Sequence, residues 1–478
     1  MTRGIVLHHR HLRQVDHAAL AEAAANHETV VPVFVFDPHF YQGNSLACDS
    51  RIHFMHECLN ELQVSLFHGN PAEIVTSLDG DVYTIHTATG RYGVERNKEL
   101  YNAGVTFVQG DGLRRCDNPR NGWSNAVEEW LTDDTFEKPD CIEPVRSNVS
   151  IEWVEDQYDI SPEKEQVPTG GRSAALDQLS QFCDSPEYWG HISEPTRERG
   201  VSDLSTYLRF GCISIREVYQ KVSESLSGHD KNAIQSRLFW NLHYQQKLLD
   251  WPGWMDKAVN PELRQMGTPD KKKWTRFKKG RTGYPMVDAA VRQLTKTGWL
   301  NFRNRALLAT FHSNLLNLPW KQGANWLYYH LIDADPGINY TQWQSQTSRV
   351  GTNLYRIYNP RKQVRDSDTA TDWIQKWVPE LSKFPEQHLD QPEKAPPATQ
   401  QQCGIIIGED YPLPVVEYEA ARSKARRRLE QREAAAVEAL NNPEVRQKAS
   451  LSARGRGKNT DVESLKQDST QQSLTDFS

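Results

Sequence analysis

The run VVPVFVF, residues 30–36, holds seven apolar residues with no polar side chain among them. A run that short, without alternation, suits a strand covered on both faces rather than one with a wet side. Four more runs of the same kind stand around it: GIVL (4–7), VSLF (64–67), VYTI (82–85) and VTFV (105–108). The spacers are of crossover length, and 16–26 and 51–63 have amphipathic helical patterning that supplies cover for the sheet. The reading is α/β: a doubly wound parallel sheet domain over 1–131. No GxGxxG follows the first strand, so the dinucleotide fingerprint is missing there.

Outward from this domain the composition changes twice. Residues 132–173 are rich in Asp, Glu, Pro, Ser and Gly, as in SPEKE (161–165) and TGGR (169–172), and read as a long exposed interdomain connection. Residues 174–445 then carry helical periodicity almost throughout, broken by turn signals at DWPG (250–253) and GRTGYP (280–285), which predicts an all-α second domain. Its last helix is expected over 415–441, where Arg422, Lys424, Arg426, Arg427 and Arg428 touch DNA or, the preferred reading, form a solvated face with Glu partners. The tail, 446–478, is expected to have no fixed structure.

With 478 residues, 37% hydrophobic and 25% charged, the chain has the balance of a soluble globular protein with room for two domains. Its formal charge of −6 gives no global attraction to nucleic acid, so DNA binding would need a local basic patch. No run approaches 18 apolar residues and no leader pattern opens the chain, which leads us to expect a cytoplasmic protein with no membrane contact. The seven cysteines are spread singly without a CxxC pair, an argument against a disulfide framework, a zinc ribbon or an iron–sulfur cluster. Fourteen Trp, with 17 Tyr and 15 Phe, serve packing or stack on a flat cofactor or on bases.

The segment 280–347 concentrates the chemistry. GRTGYPMVDAAVRQLTKTGW (280–299) reads as turn, helix, turn, with Pro285 at the first helical position and Val287, Ala290, Val291 and Leu294 at helical spacing. In the helix beginning near Asn301, Arg303, Arg305 and Asn314 interrupt an apolar pattern. Further on, Asp333, Asp335 and Asn339 gather beside Trp343. Buried Arg and Asp need partners or a polar ligand. Arg305 with Asp333 could be a structural ion pair, or two carboxylates and a carboxamide could orient a ring rich in donors and acceptors, such as an isoalloxazine.

GRTGYPMVDAAVRQLTKTGW, DADPGIN (333–339) and LYRIYNPRKQ (354–363) resemble the FAD domain of DNA photolyases and cryptochromes. SDLSTYLRFGCIS (202–214) resembles the phosphate-holding segment of that family, and LHHRHLRQVD (7–16) with VPVFVFDP (31–38) its opening strand, turn and second strand. The resemblance implies FAD as cofactor, with Ser202, Leu204 and Ser205 at the diphosphate. It places Arg305 and Asp333 as an ion pair beside the flavin, Asp335 as the second flavin-facing carboxylate and Asn339 at the flavin N5. Trp320 and Trp343 match the middle and flavin-proximal members of the tryptophan electron-transfer chain; the distal member falls on Gly267, and Trp274 is a nearby substitute.

The lesion-binding residues depart from the family pattern. Arg237 stands where dimer photolyases have Glu, with Trp240 retained one helical turn on. Phe302 and Ala306 replace an Asn and a Met. In TQWQS (341–345) the second stacking Trp has become Ser345, and the paired histidines of (6-4) photolyases are not at Asn301 and Phe302. The resemblance therefore implies light-driven repair of pyrimidine dimers in DNA, with Arg237, Trp240, Phe302 and Arg303 at the substrate; a cryptochrome-type photoreceptor is the alternative. A light-independent nucleic-acid-binding protein with a structural flavin would leave Trp320 and Trp343 unused. Seven cations over 271–281 follow a phosphate backbone or form a solvated loop. An antenna pocket holding a folate, a deazaflavin, a second flavin or nothing is open, with His8, His9, Arg10 and His11 near the end of the first strand, where a ligand crevice would lie. No metal is assigned, damaged DNA is the expected partner, and the protein is taken as a monomer.

Overall fold

The computed structural model describes residues 2–42, 47–188, 194, 196 and 200–450. Five parallel strands, β1 (Arg3–His8), β2 (Thr29–Phe36), β3 (Ser65–His68), β4 (Asp81–Ile85) and β5 (Thr106–Val108), form one sheet in the order β3-β2-β1-β4-β5. β1 lies between β2 and β4, with Ile5 opposite Val31 and Val82. Every residue of β2 is buried, as a non-alternating apolar run requires. Pro32 is tolerated inside it because the ladder to β3 starts only at Val33, so no strand hydrogen bond is lost on that side.

The helices Ala18–Asn26 and Asp49–Asn60 cover this sheet where the periodicity placed them. The connection over 132–173 is not simply exposed. Its start runs beside β2, where Val30 donates to Cys141 O and accepts from Glu143 N–H, and Asn148 N–H reaches Leu66 O on β3. A short helix, Ile151–Gln157, then buries Ile151 and Val154. Sheet edges attract other strands, and these residues cap this one; composition registered their polarity but not their backbone role.

The described chain divides into two compact units whose boundaries are not sequential. The first contains the sheet, residues 1–190 and 200–252, and also 329–338; the second contains 191–199, 253–328 and 339–478. Residues 329–338 are bound into the first unit by Cys48 N–H to Tyr329 O (3.2 Å), Arg51 Nη1 to Leu331 O (3.1 Å) and Arg209 Nε to Ala334 O (2.5 Å).

In the second unit Pro285 occupies the first turn of the helix Pro285–Thr297. The turn before it is organised by Asp288, which is fully buried and accepts from Thr282 N–H, Thr282 Oγ1, Gly283 N–H and Tyr411 OH at 2.6–3.0 Å. Gly283, at φ +79, could not carry a side chain: a Cβ would lie 2.5 Å from the Leu413 carbonyl carbon. The helix Phe302–Thr310 passes into a π-helical turn, Phe311–Leu315. A long helix, Tyr418–Asn441, and a shorter one, Pro443–Ala449, follow, so helical structure continues past 446; residues 451–478 lie outside the described residues. Among the described residues no helix is long and apolar enough to cross a membrane.

Candidate functional site

In the first unit, Leu204 (1% exposed) anchors the segment 202–205 ahead of the helix Ser205–Phe210. Ser202 and Ser205 are partly exposed, and Gln178 fixes the backbone by donating to Ser202 O (3.0 Å). Two seryl groups presented on a pinned turn are suited to phosphate oxygens. Asp333 and Asp335 are both buried. Asp335 is held twice: Arg10 Nη2 lies 3.4 Å from Oδ2, and Ile338 N–H donates to Oδ1 (3.1 Å). Arg10 therefore serves the 333–339 loop rather than the strand-end crevice. Gly337 permits the loop's close approach, since a Cβ there would meet Tyr244 O at 2.8 Å.

The crevice outside the ends of β1 and β2 is lined by His8, His9, Asp37, Tyr41, Tyr92 and Arg96. Ligands of open parallel sheets bind at such strand ends. His8, His9, His11 and His17 are all pushed below the ordinary imidazole range, chiefly by burial, His8 to about 4. They are neutral at pH 7. Among the described residues no group of three or more His, Cys, Asp or Glu side chains could hold a metal ion.

The long helix Gly228–Asp250 carries the other first-unit residues of interest. Trp240 stacks on Tyr244 (5.5 Å between centroids, 26°) and meets His243 edge-on at 5.2 Å. Arg237, one turn earlier, acts on the Tyr188 hydroxyl, opposing the rise that burial gives its pKa. Tyr244, at a helical spacing of four from Trp240, extends the aromatic stripe that sequence reasoning limited to one ring.

In the second unit, Asn339 is buried and its amide donates to Ala324 O (3.0 Å), which fixes its orientation. Trp320 and Trp343 are buried at 4% and 2% exposure. Trp343 meets His312 edge-on at 5.6 Å, and its ring needs the absence of a side chain at Gly323, where a Cβ would lie 2.4 Å from Cη2. His312 in turn meets Trp274 at 5.6 Å, and Trp274 meets Trp326 at 6.1 Å. Trp274 thus belongs to an aromatic row with His312 and Trp326, two residues that sequence comparison did not single out. Burial holds His312 neutral, with its pKa down to about 3.

Arg305 donates Nε to Leu300 O (2.7 Å); its expected companion Asp333 belongs to the other unit. Phe302 is 40% exposed and Arg303 partly exposed at the helix start capped by Asn301, whereas Ala306 is buried and turned to the core. Within the basic run, Lys273 and Arg276 are engaged with the carbonyls of Leu316 and Leu413. Lys271, Lys272, Lys278, Lys279 and Arg281 remain exposed.

Within the second unit two groups fit a flavin: the Asn339 amide is pre-oriented by the protein, and the buried Trp343 Nε1–H has no acceptor among the described residues. Residues 234–431 match the FAD binding domain of DNA photolyase, and residues 4–84 match the DNA photolyase family model. Cryptochrome DASH of Gloeobacter violaceus is 32% identical over 476 residues, 86% of this chain and 93% of that protein. Deoxyribodipyrimidine photo-lyase of Synechococcus sp. is 26% identical over 91% of this chain and 98% of its own. In fold, a class III photolyase from Agrobacterium tumefaciens superposes with a TM-score of 0.74 at 23% identity, covering 90% of this chain and 98% of that one. A Sulfolobus tokodaii photolyase solved with two FAD molecules superposes at 0.76 and 22% identity, covering 90% and 100%. The chain belongs to the DNA photolyase and cryptochrome family and carries its FAD-binding domain.

Proposed function

We propose that the protein repairs UV-induced pyrimidine dimers in DNA under blue light. The observation that carries this reading is the stripe of Arg237, Trp240 and Tyr244 on one helix, two stacked rings beside a cation. Stacked aromatics with a flanking positive charge suit bases turned out of a duplex. The Synechococcus relative, by name a deoxyribodipyrimidine photo-lyase, supports it.

FAD, when bound, supplies the electron for dimer reversal on excitation. On this reading Ser202, Leu204 and Ser205 hold its diphosphate, and Arg305, Asp333, Asp335 and Asn339 fix the ring. Trp343 and Trp320 relay charge between the ring and the protein surface, Phe302 offers the lesion a further apolar face, and Arg303 with the exposed lysines of 271–281 neutralises DNA phosphates. A second chromophore is assigned to the crevice at His8, His9, Tyr92 and Arg96; extraction and absorption spectra would tell folate, deazaflavin and flavin apart.

A photoreceptor of cryptochrome type is the second reading, favoured by the buried Ala306 and by the charge reversal at Arg237. The deciding experiment mixes photoreduced protein with oligonucleotides carrying one cyclobutane dimer or one (6-4) product. Light-dependent restoration of either is expected; a yellow protein that photoreduces and restores neither overturns repair. Trp343→Phe is expected to keep the yellow colour and abolish photoreduction, and unchanged photoreduction would remove Trp343 from the relay.

A further inference from the structure

We propose that Arg349 binds a small inorganic anion, of the size and charge of chloride, inside the second unit. Its side chain is wholly buried. Nη1 donates to Thr347 O (2.5 Å), while the buried Nε and Nη2 have no acceptor among the described residues. Burial first, and then the cations Arg428 and Arg432, lower its pKa to about 9, which still leaves it charged at neutral pH. A buried charge normally has a partner of opposite sign. Here the environment adds like charge instead.

The surroundings point the same way. Arg428 and Arg432 stand one turn apart on the helix Tyr418–Asn441, and Arg428 Nη2 donates to Asn314 O (2.8 Å) on the π-helical turn Phe311–Leu315. The same turn carries Asn314 Nδ2, another buried donor with no acceptor among the described residues, and His312, whose pKa burial and then Arg349 lower. Of the four acids on the same helix, Glu419 lies by Arg422 (3.6 Å), Glu430 pairs with Arg426 (2.8 Å), Glu433 accepts from the Tyr355 hydroxyl (2.6 Å) and Glu438 is exposed. Irregular π turns often mark functional positions. Because Arg349 has no exposed surface, the ligand must be compact, which favours a halide over a phosphate or an organic acid.

The test uses the full-length protein with the flavin it retains on purification. Its melting temperature is followed as sodium chloride replaces sodium gluconate at fixed ionic strength. A saturable rise of several degrees is expected, because a ligand that binds only the folded state stabilises it. Arg349→Met should lose the rise, and Arg428→Gln, on a partly exposed side chain, should shift half-saturation to higher chloride. Crystals of the unaltered protein soaked in bromide should show anomalous density at Arg349 Nε and Nη2, which decides the matter even if Arg349→Met does not fold. No chloride-specific rise with no bromide density overturns the proposal; an equal rise in Arg349→Met, or saturation by phosphate instead of chloride, does so too.

Discussion

Two places in the molecule bury polar side chains differently, the end of β1 in the first unit and the positions of Asp288 and Arg349 in the second. Around the end of β1 the first unit hides imidazoles, His8, His9, His11 and His17, with burial keeping them uncharged. The second unit encloses an ionisable carboxyl in a shell of donors at Asp288 and a guanidinium among cations at Arg349. Neutral imidazoles cost little at pH 7 and become a liability in acid. Enclosed charged groups depend instead on each of their partners.

The largest effect should come from emptying the Asp288 shell. Asp288→Ala leaves the donors of Thr282, Gly283 and Tyr411 without an acceptor, and a loss of about 3–5 kcal/mol of stability is expected, read from urea unfolding. A loss under 1 kcal/mol would mean that the turn closes without its carboxyl. Next comes acid. His8 has a folded-state pKa lowered to about 4, so its contribution is present above about pH 6.5 and is lost as pH falls towards 4, because the unfolded chain takes up the proton first. This single group is worth about 3 kcal/mol over that range, and His8→Gln should flatten the pH dependence of the melting temperature. An unchanged slope would contradict its burial as a neutral ring. The smallest effect is expected at Gly323→Ala, where the new Cβ crowds Trp343 and His312: about 1–3 kcal/mol, with a shift in tryptophan emission. No change would show that the ring pair can move aside freely.

Much of the sheet was legible because its strands are apolar runs of strand length, and that shortness, against the longer 3.6-residue patterning of the helices, separates the two. The helix opened by Pro285 was legible for the same local reason. What escaped was non-local. That 141–148 would hydrogen-bond along β2 and β3 depends on backbone groups, to which composition is blind. Arg10 appeared in a histidine-rich strand end, and nothing in its neighbours foretold an ion pair with Asp335, far along the chain. Trp240 was singled out by motif, yet its stacking partner Tyr244 lay at readable helical spacing and went unused. His312 interrupts an apolar stretch and Arg349 sits in a polar one, neither within a motif that was read, so only their burial brings them forward.

The return of residues 329–338 into the first unit has a consequence for how the protein is made. A ribosome releases the sheet strands early, and domains usually fold as they emerge. Here the sheet unit must wait for the loop that gives Arg51 and Arg209 their carbonyls and Arg10 its carboxylate. During that interval residues 109–328, a little under half of the polypeptide, are synthesised around an incomplete nucleus, and no single cut in the gene would yield two self-sufficient halves.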